Sequence, residues 1–158
     1  MSSRERRIVV GMEGSGGAKA ALRWALCEAR YRHAIVEVVT AYASNRVPVA
    51  PDVNYVPFDL GDLRGEVERM QDQVVTEVLD EMGPIEVEVR RTLVEGRPAD
   101  ALIRAAEDAD MLVVGSRGRG GFRGLLLGSV SQQIAHHGAC PVVIVRPDLD
   151  VDTEVEVG

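Results

Sequence analysis

Three short apolar runs, at 8–10, 112–114 and 142–145, constrain this chain more than any other feature of it. Each is too short for a helix, rich in β-branched residues and apolar without alternation. That is the pattern of a strand covered on both faces, as in a parallel sheet. The segments between them carry a helical period instead. Ala18, Ala21, Leu22, Ala25, Leu26 and Ala29 form one stripe in "SGGAKAALRWALCEARYRH", with Ser15 as its N-cap. Leu63, Val67, Met70, Val74 and Val78 form another, which Gly83-Pro84 stops. A third helix starts near Pro98, and a fourth occupies "SVSQQIAHHG". Two more strands complete the alternation. "AIVEVVTAY" is one; "IEVEVRRTL", at 85–93, is the other, and its strict alternation marks a strand exposed on one side. Strand and helix in turn predict an α/β, doubly wound, five-stranded parallel sheet with helices on both faces.

The chain is 158 residues long and 46% hydrophobic, which is enough for one domain. A chain of this size buries roughly 70% of its unfolded surface. Its net charge of −7 is unevenly placed: five of the 25 acids lie in 148–158, leaving 20 acids against 18 bases in 1–147 and a net charge of −2. We therefore read 1–147 as the folded domain and 148–158 as an acidic, solvated extension. No basic stripe is present and aromatics are 4%, so no nucleic-acid partner is expected. No run approaches the ~18 apolar residues of a membrane span. No apolar segment precedes the first strand, so the expected location is the cytoplasm. Cys27 and Cys140 lie in unrelated contexts and read as small buried hydrophobes. His136-His137 are neighbours on a helix, about 100° apart, which does not suit one shared ligand. His137 is expected to pack at the helix end and His136 to face outward.

The chemistry concentrates in "GSRGRGGFRGLLLGS", which leaves the fourth strand and enters the fourth helix. A phosphate cradle, a mobile linker and a glycine-tolerant turn all fit such a composition. Ligands of doubly wound sheets bind beyond the carboxyl ends of the strands, and the loop starts there, which weakens the linker reading. Gly115 and Gly118 leave the backbone open, and Gly128-Ser129 begins a helix whose unpaired N–H groups favour an anion. Arg117, Arg119 and Arg123 add positive charge. The P-loop pattern is missing, since the chain's single lysine is Lys19. The dinucleotide spacing G-x-G-x-x-G is missing too.

Gly115, Gly118 and Gly128-Ser129 instead keep the spacing G-x2-G-x9-G-[ST]. With "RIVVGMEGSGGAKAALRWA", "GRPADALIRAAEDADMLVVGSRGRGG" and "LLLGSVSQQIAHHGACPVVIVRP", this resembles the ATP-binding branch of the universal stress protein family over residues 6–147. The resemblance implies a strand order of 3-2-1-4-5 and an adenine-nucleotide site for ATP, alone or with Mg2+. By that likeness Gly115 and Gly118 lie against ribose and phosphates, and Gly128, Ser129 and Val130 cap the phosphates; of the arginines, Arg117 is counted with the nucleotide-binding residues for its charge. Val114 and Ala41 line the adenine pocket, and the turn from Gly11 to Glu13 approaches adenine and ribose. Family members that bind ATP usually carry aspartate where this chain has Glu13. No metal ligands and no catalytic set are identified. The expected function is ATP-binding regulation in the stress response, in which nucleotide stabilises one conformation or assembly state. The alternatives are slow ATP hydrolysis or self-phosphorylation at Ser129 or Ser131, and a nucleotide-independent dimerisation module. In the implied strand order the last strand, Val142–Val145, is a bare apolar edge, and two copies are expected to pair through it as a homodimer.

Overall fold

In the computed structural model, residues 3–13, 16–43, 60–116 and 127–147 are described. The expected elements all form: β1 (Arg7–Gly11), α1 (Gly16–Arg32), β2 (Ile35–Tyr42), α2 (Leu60–Met82), β3 (Val89–Glu95), α3 (Pro98–Ala105), β4 (Met111–Gly115), α4 (Ser129–His137) and β5 (Val142–Val145). The strands make one parallel sheet in the order β3-β2-β1-β4-β5. Ser15, most of the proline-bearing segment 43–60 and the acidic extension lie outside the described residues.

Two apolar clusters, one on each face, hold the sheet between helices. Ile8, Val10, Val36, Val38 and Val113 meet α1 and α2. Val9, Val39, Leu112 and Val114 meet α3 and Ile134 of α4. Successive residues of β1 and β4 thus serve opposite cores, which is why their sequence shows no alternation. β5 departs from that expectation: Val142, Val143 and Ile144 are only half-buried, and Val145 alone is buried. Among the described residues it is the edge strand, with β4 on one side and no strand beyond. No helix among the described residues is long and apolar enough to cross a membrane.

Two boundaries differ from the sequence reading. β3 begins at Val89 rather than at residue 85, because its partner β2 begins only at Ile35 and the first rung joins the Val36 N–H to the Glu88 carbonyl. Residues 85–88 keep the alternating exposure, with Ile85 and Val87 packed on the α1–α2 side. The buried stripe of α2 also includes a polar residue. Gln71 is 1% exposed, and its amide donates to the Val38 carbonyl, Thr40 Oγ1 and the Thr92 carbonyl at 3.1, 2.9 and 3.2 Å. One side chain thereby spans β2 and β3 and fixes where α2 sits. At the end of α1, His33 adopts φ 52°, and the Ala34 N–H closes on the Ala29 carbonyl at 3.0 Å. This is a Schellman-type stop, with histidine where glycine is usual.

The single lysine belongs to the helix pair. Lys19 Nζ lies 2.7 Å from Glu77 Oε2 on α2, and one turn on, Arg23 pairs with Glu81 at 2.6 Å. Its hydrogen bond holds the Glu77 carboxyl below the usual carboxylate range. Lys19 is therefore directed along α2.

Candidate functional site

At the carboxyl ends of β1 and β4 the winding reverses. β1 feeds α1 on one face of the sheet, and β4 feeds the segment that enters α4 on the other. This reversal is where open α/β sheets place their ligands. Gly11, Glu13, Ala41, Val114, Gly115, Gly128, Ser129 and Val130 all lie at this end or on the first turn of α4. Arg117 and Gly118 lie outside the described residues.

The two glycines that end β1 and β4 are set by packing. A Cβ at Gly115 would stand 2.7 Å from the Gly17 carbonyl carbon and 2.9 Å from its oxygen, so the backbone of α1 rests directly on the end of β4. A Cβ at Gly11 would meet Leu102 Cδ1 at 2.8 Å and Val114 Cγ1 at 3.1 Å on the opposite face. Val114 is itself 4% exposed and belongs to the α3–α4 core. β1–β2 pairing extends past Gly11, with the Met12 N–H on the Val39 carbonyl at 2.9 Å, and Glu13 follows it as an exposed residue. Ala41 is half-buried, in register with Val94 of β3.

One polar contact ties the end of β4 to β5, and three tie it to the start of α4. The Ser116 N–H donates to the Val145 carbonyl at 2.8 Å, extending the β4–β5 ladder. The Ser116 carbonyl accepts the Gly128 N–H at 2.7 Å, so the chain leaves at 116 and returns at 128 to the same place. Ser131 Oγ donates to the Gly115 carbonyl at 2.7 Å and approaches the Ser116 carbonyl at 3.3 Å. Gly128 is the N-cap of α4 and supplies no side-chain cap. The first intrahelical bond runs from the Gln132 N–H to the Gly128 carbonyl at 3.0 Å. The N–H groups of Ser129, Val130 and Ser131 precede that bond, which is the arrangement that receives an anion. The Gly128 N–H itself is committed to Ser116, a restriction the glycine spacing did not reveal.

Ser131 is not the phosphoacceptor that the sequence allowed. It is 3% exposed and its hydroxyl is spent on strand carbonyls, whereas Ser129 is exposed. Its position three residues before Ile134, on the buried face, was the overlooked signal. His137 is exposed rather than packed, because the buried face of α4 runs through Ser131 and Ile134. Its ring centroid lies 6.3 Å from that of His136. Among the described residues no His, Cys, Asp and Glu group of three or more is placed to hold a metal. Cys27 and Cys140 are partly buried, and burial pushes both thiols up, away from the reactive thiolate.

A family model described as the universal stress protein family matches residues 5–146. The chain belongs to this family. A universal stress protein of Thermus aquaticus is 37% identical over 143 residues, covering 89% of this chain and 98% of that one. One from Mycobacterium tuberculosis is 34% identical over 139 residues, covering 88% of this chain but 43% of its own length. The chain thus spans less than half of that mycobacterial relative. Among solved structures, a universal stress protein in complex with cAMP is 26% identical with a TM-score of 0.60, covering 92% of this chain and 99% of that one. The five-stranded sheet and its order are those of the universal stress protein fold.

Proposed function

We propose that this universal stress protein domain binds an adenine nucleotide, ATP foremost and with or without Mg2+, as a cytoplasmic regulator of the stress response. Bound nucleotide then favours one conformation or assembly state. The observation that carries the reading is the start of α4: an uncapped helix N-terminus, fixed by hydrogen bonds to the end of β4 at the point where the winding reverses. The cAMP complex of a family member supports adenine as the base. In this reading Ser129 and Val130 offer backbone N–H groups to phosphate, with Gly128 as the helix cap. Gly115, Arg117 and Gly118 border ribose and phosphates, while Gly11, Glu13, Ala41 and Val114 surround the base and ribose.

Ligand that binds only the folded state stabilises it by RT ln(1 + [L]/Kd). Millimolar ATP on a micromolar site gives about 4 kcal/mol, or roughly 10 °C in melting temperature for a domain of this size. Thermal unfolding with and without 1,000-fold excess ATP over Kd, and with AMP and cAMP, reads this directly. A melting temperature unmoved by all three overturns the nucleotide reading and leaves the dimerisation module. In the self-phosphorylation alternative the acceptor is Ser129, since Ser131 is buried and its hydroxyl is bonded to the Gly115 carbonyl.

We also propose a homodimer through β5. Every rung to β4 uses alternate residues: the Leu112 N–H meets the Pro141 carbonyl and the Ser116 N–H meets the Val145 carbonyl. The peptide groups of Val142 and Ile144 consequently point away from β4, and no strand among the described residues pairs with that edge. Ile144→Pro removes one outward N–H and spares the β4 ladder, and it is expected to turn dimer into monomer in sedimentation equilibrium. A dimer that persists unchanged, or a monomeric parent protein, counts against pairing through this strand.

A further inference from the structure

α4 is a nine-residue helix with only two buried residues, Ser131 and Ile134. They sit three apart on one face and hold the helix in different ways. Ile134 is 0% exposed and packs into the cluster of Val9, Leu112 and Val114. Apolar contact is non-directional, so it presses α4 to the sheet without fixing its rotation or its slide along the axis. The Ser131 hydroxyl supplies the directional part. Its 2.7 Å bond to the Gly115 carbonyl joins the first turn of the helix to the last residue of β4, without passing through 117–127. The acceptor is itself immobile, because Gly115 is wedged against the Gly17 backbone and Ser116 is paired with Val145.

A helix start acts on an anion through the aim of its N–H groups, and hydrogen bonds weaken steeply as their angle opens. We propose that Ser131 is a positioning residue for the phosphate end of the bound nucleotide: it touches no ligand, and it sets the direction of the Ser129 and Val130 N–H groups. This rests on the nucleotide reading of the same site. The adenosine end is supported separately. Gly11 ends β1, Glu13 follows it and Ala41 lies near the end of β2; these strands are braced by the Met12–Val39 bond and by Gln71 bridging β2 and β3. Ser131 makes no hydrogen bond to those elements. Losing its hydroxyl therefore weakens the phosphate contribution and spares the nucleoside.

The test is calorimetric titration of the full chain with adenosine and with ATP, for the parent protein, Ser131→Ala, Ser131→Cys and Ser131→Thr. The readout is the ratio of the two dissociation constants, which a general loosening of the fold does not change. In Ser131→Ala the preference for ATP over adenosine is expected to fall about tenfold, the worth of one well-placed hydrogen bond, while adenosine affinity stays within about twofold. Ser131→Cys keeps the volume but exchanges a strong donor for a weak one, and is expected to fall similarly. It carries the test if the alanine variant does not fold. Ser131→Thr keeps the hydroxyl and restores the ratio. An alanine or cysteine variant with the parent ratio, or one losing adenosine and ATP equally, overturns the positioning role while leaving nucleotide binding intact. A parent protein that binds neither ligand overturns the nucleotide reading itself, and this role with it.

Discussion

Truncating Ile134 to alanine is expected to cost about 4 kcal/mol, near the upper part of the 2–5 kcal/mol range for buried isoleucine. The size follows from its setting. Ile134 is 0% exposed and is the one large apolar side chain of α4 that is completely buried, with the half-buried Val130 beside it. Its removal takes away the transfer energy of three carbons and leaves a cavity under a helix of two and a half turns, with little else to draw it inward. Urea unfolding followed by far-ultraviolet circular dichroism measures the loss as a lowered midpoint, and melting falls by roughly 10 °C. A loss under about 1 kcal/mol would mean that α4 is held by contacts other than those of its buried face. If the proposed nucleotide site at the Ser129 and Val130 N–H groups holds, affinity falls along with stability.

Gly115→Ala is the second large effect, with an expected cost of about 3 kcal/mol, the top of the usual overpacking range. The new methyl would lie 2.7 Å from the Gly17 carbonyl carbon and 2.9 Å from its oxygen. Those are backbone atoms, and no rotamer change moves them; the first turn of α1 has to lift off β4. Gly11→Ala makes the contrast. Its methyl meets Leu102 Cδ1 at 2.8 Å, the far end of a side chain that can turn away, so it is expected to cost about 1 kcal/mol. Midpoints of denaturant unfolding rank the two. A larger loss at Gly11 than at Gly115 would contradict the packing described for the crevice.

What the sequence made legible follows from which interactions are local. β1 and β4 were readable because burial on two faces leaves a run of apolar residues, and the order of elements then implied a parallel sheet. The start of β3 was not readable, because it depends on where β2 begins, some fifty residues away. Gln71 was passed over because its burial is repaid by carbonyls of two strands, which no periodicity records. At the site, the glycine spacing marked where β4 ends and α4 begins. It gave no sign that Gly115 is glycine for the sake of Gly17, that the Gly128 N–H is already engaged, or that Ser131 is part of the scaffold. Each of these depends on how closely a helix approaches a strand, and that distance is a tertiary quantity.

The hydrogen bond between the Ser116 carbonyl and the Gly128 N–H has a consequence for how this domain tolerates change. A segment whose two ends are already joined adds closure entropy only as the logarithm of its length, about 0.6 kcal/mol for each doubling. A change of length between residues 116 and 128 is therefore expected to cost the domain little closure entropy. The two residues on either side of that bond form a seam, and the described sheet and α4 are anchored on their own sides of it by the Ser116–Val145 and Ser131–Gly115 bonds.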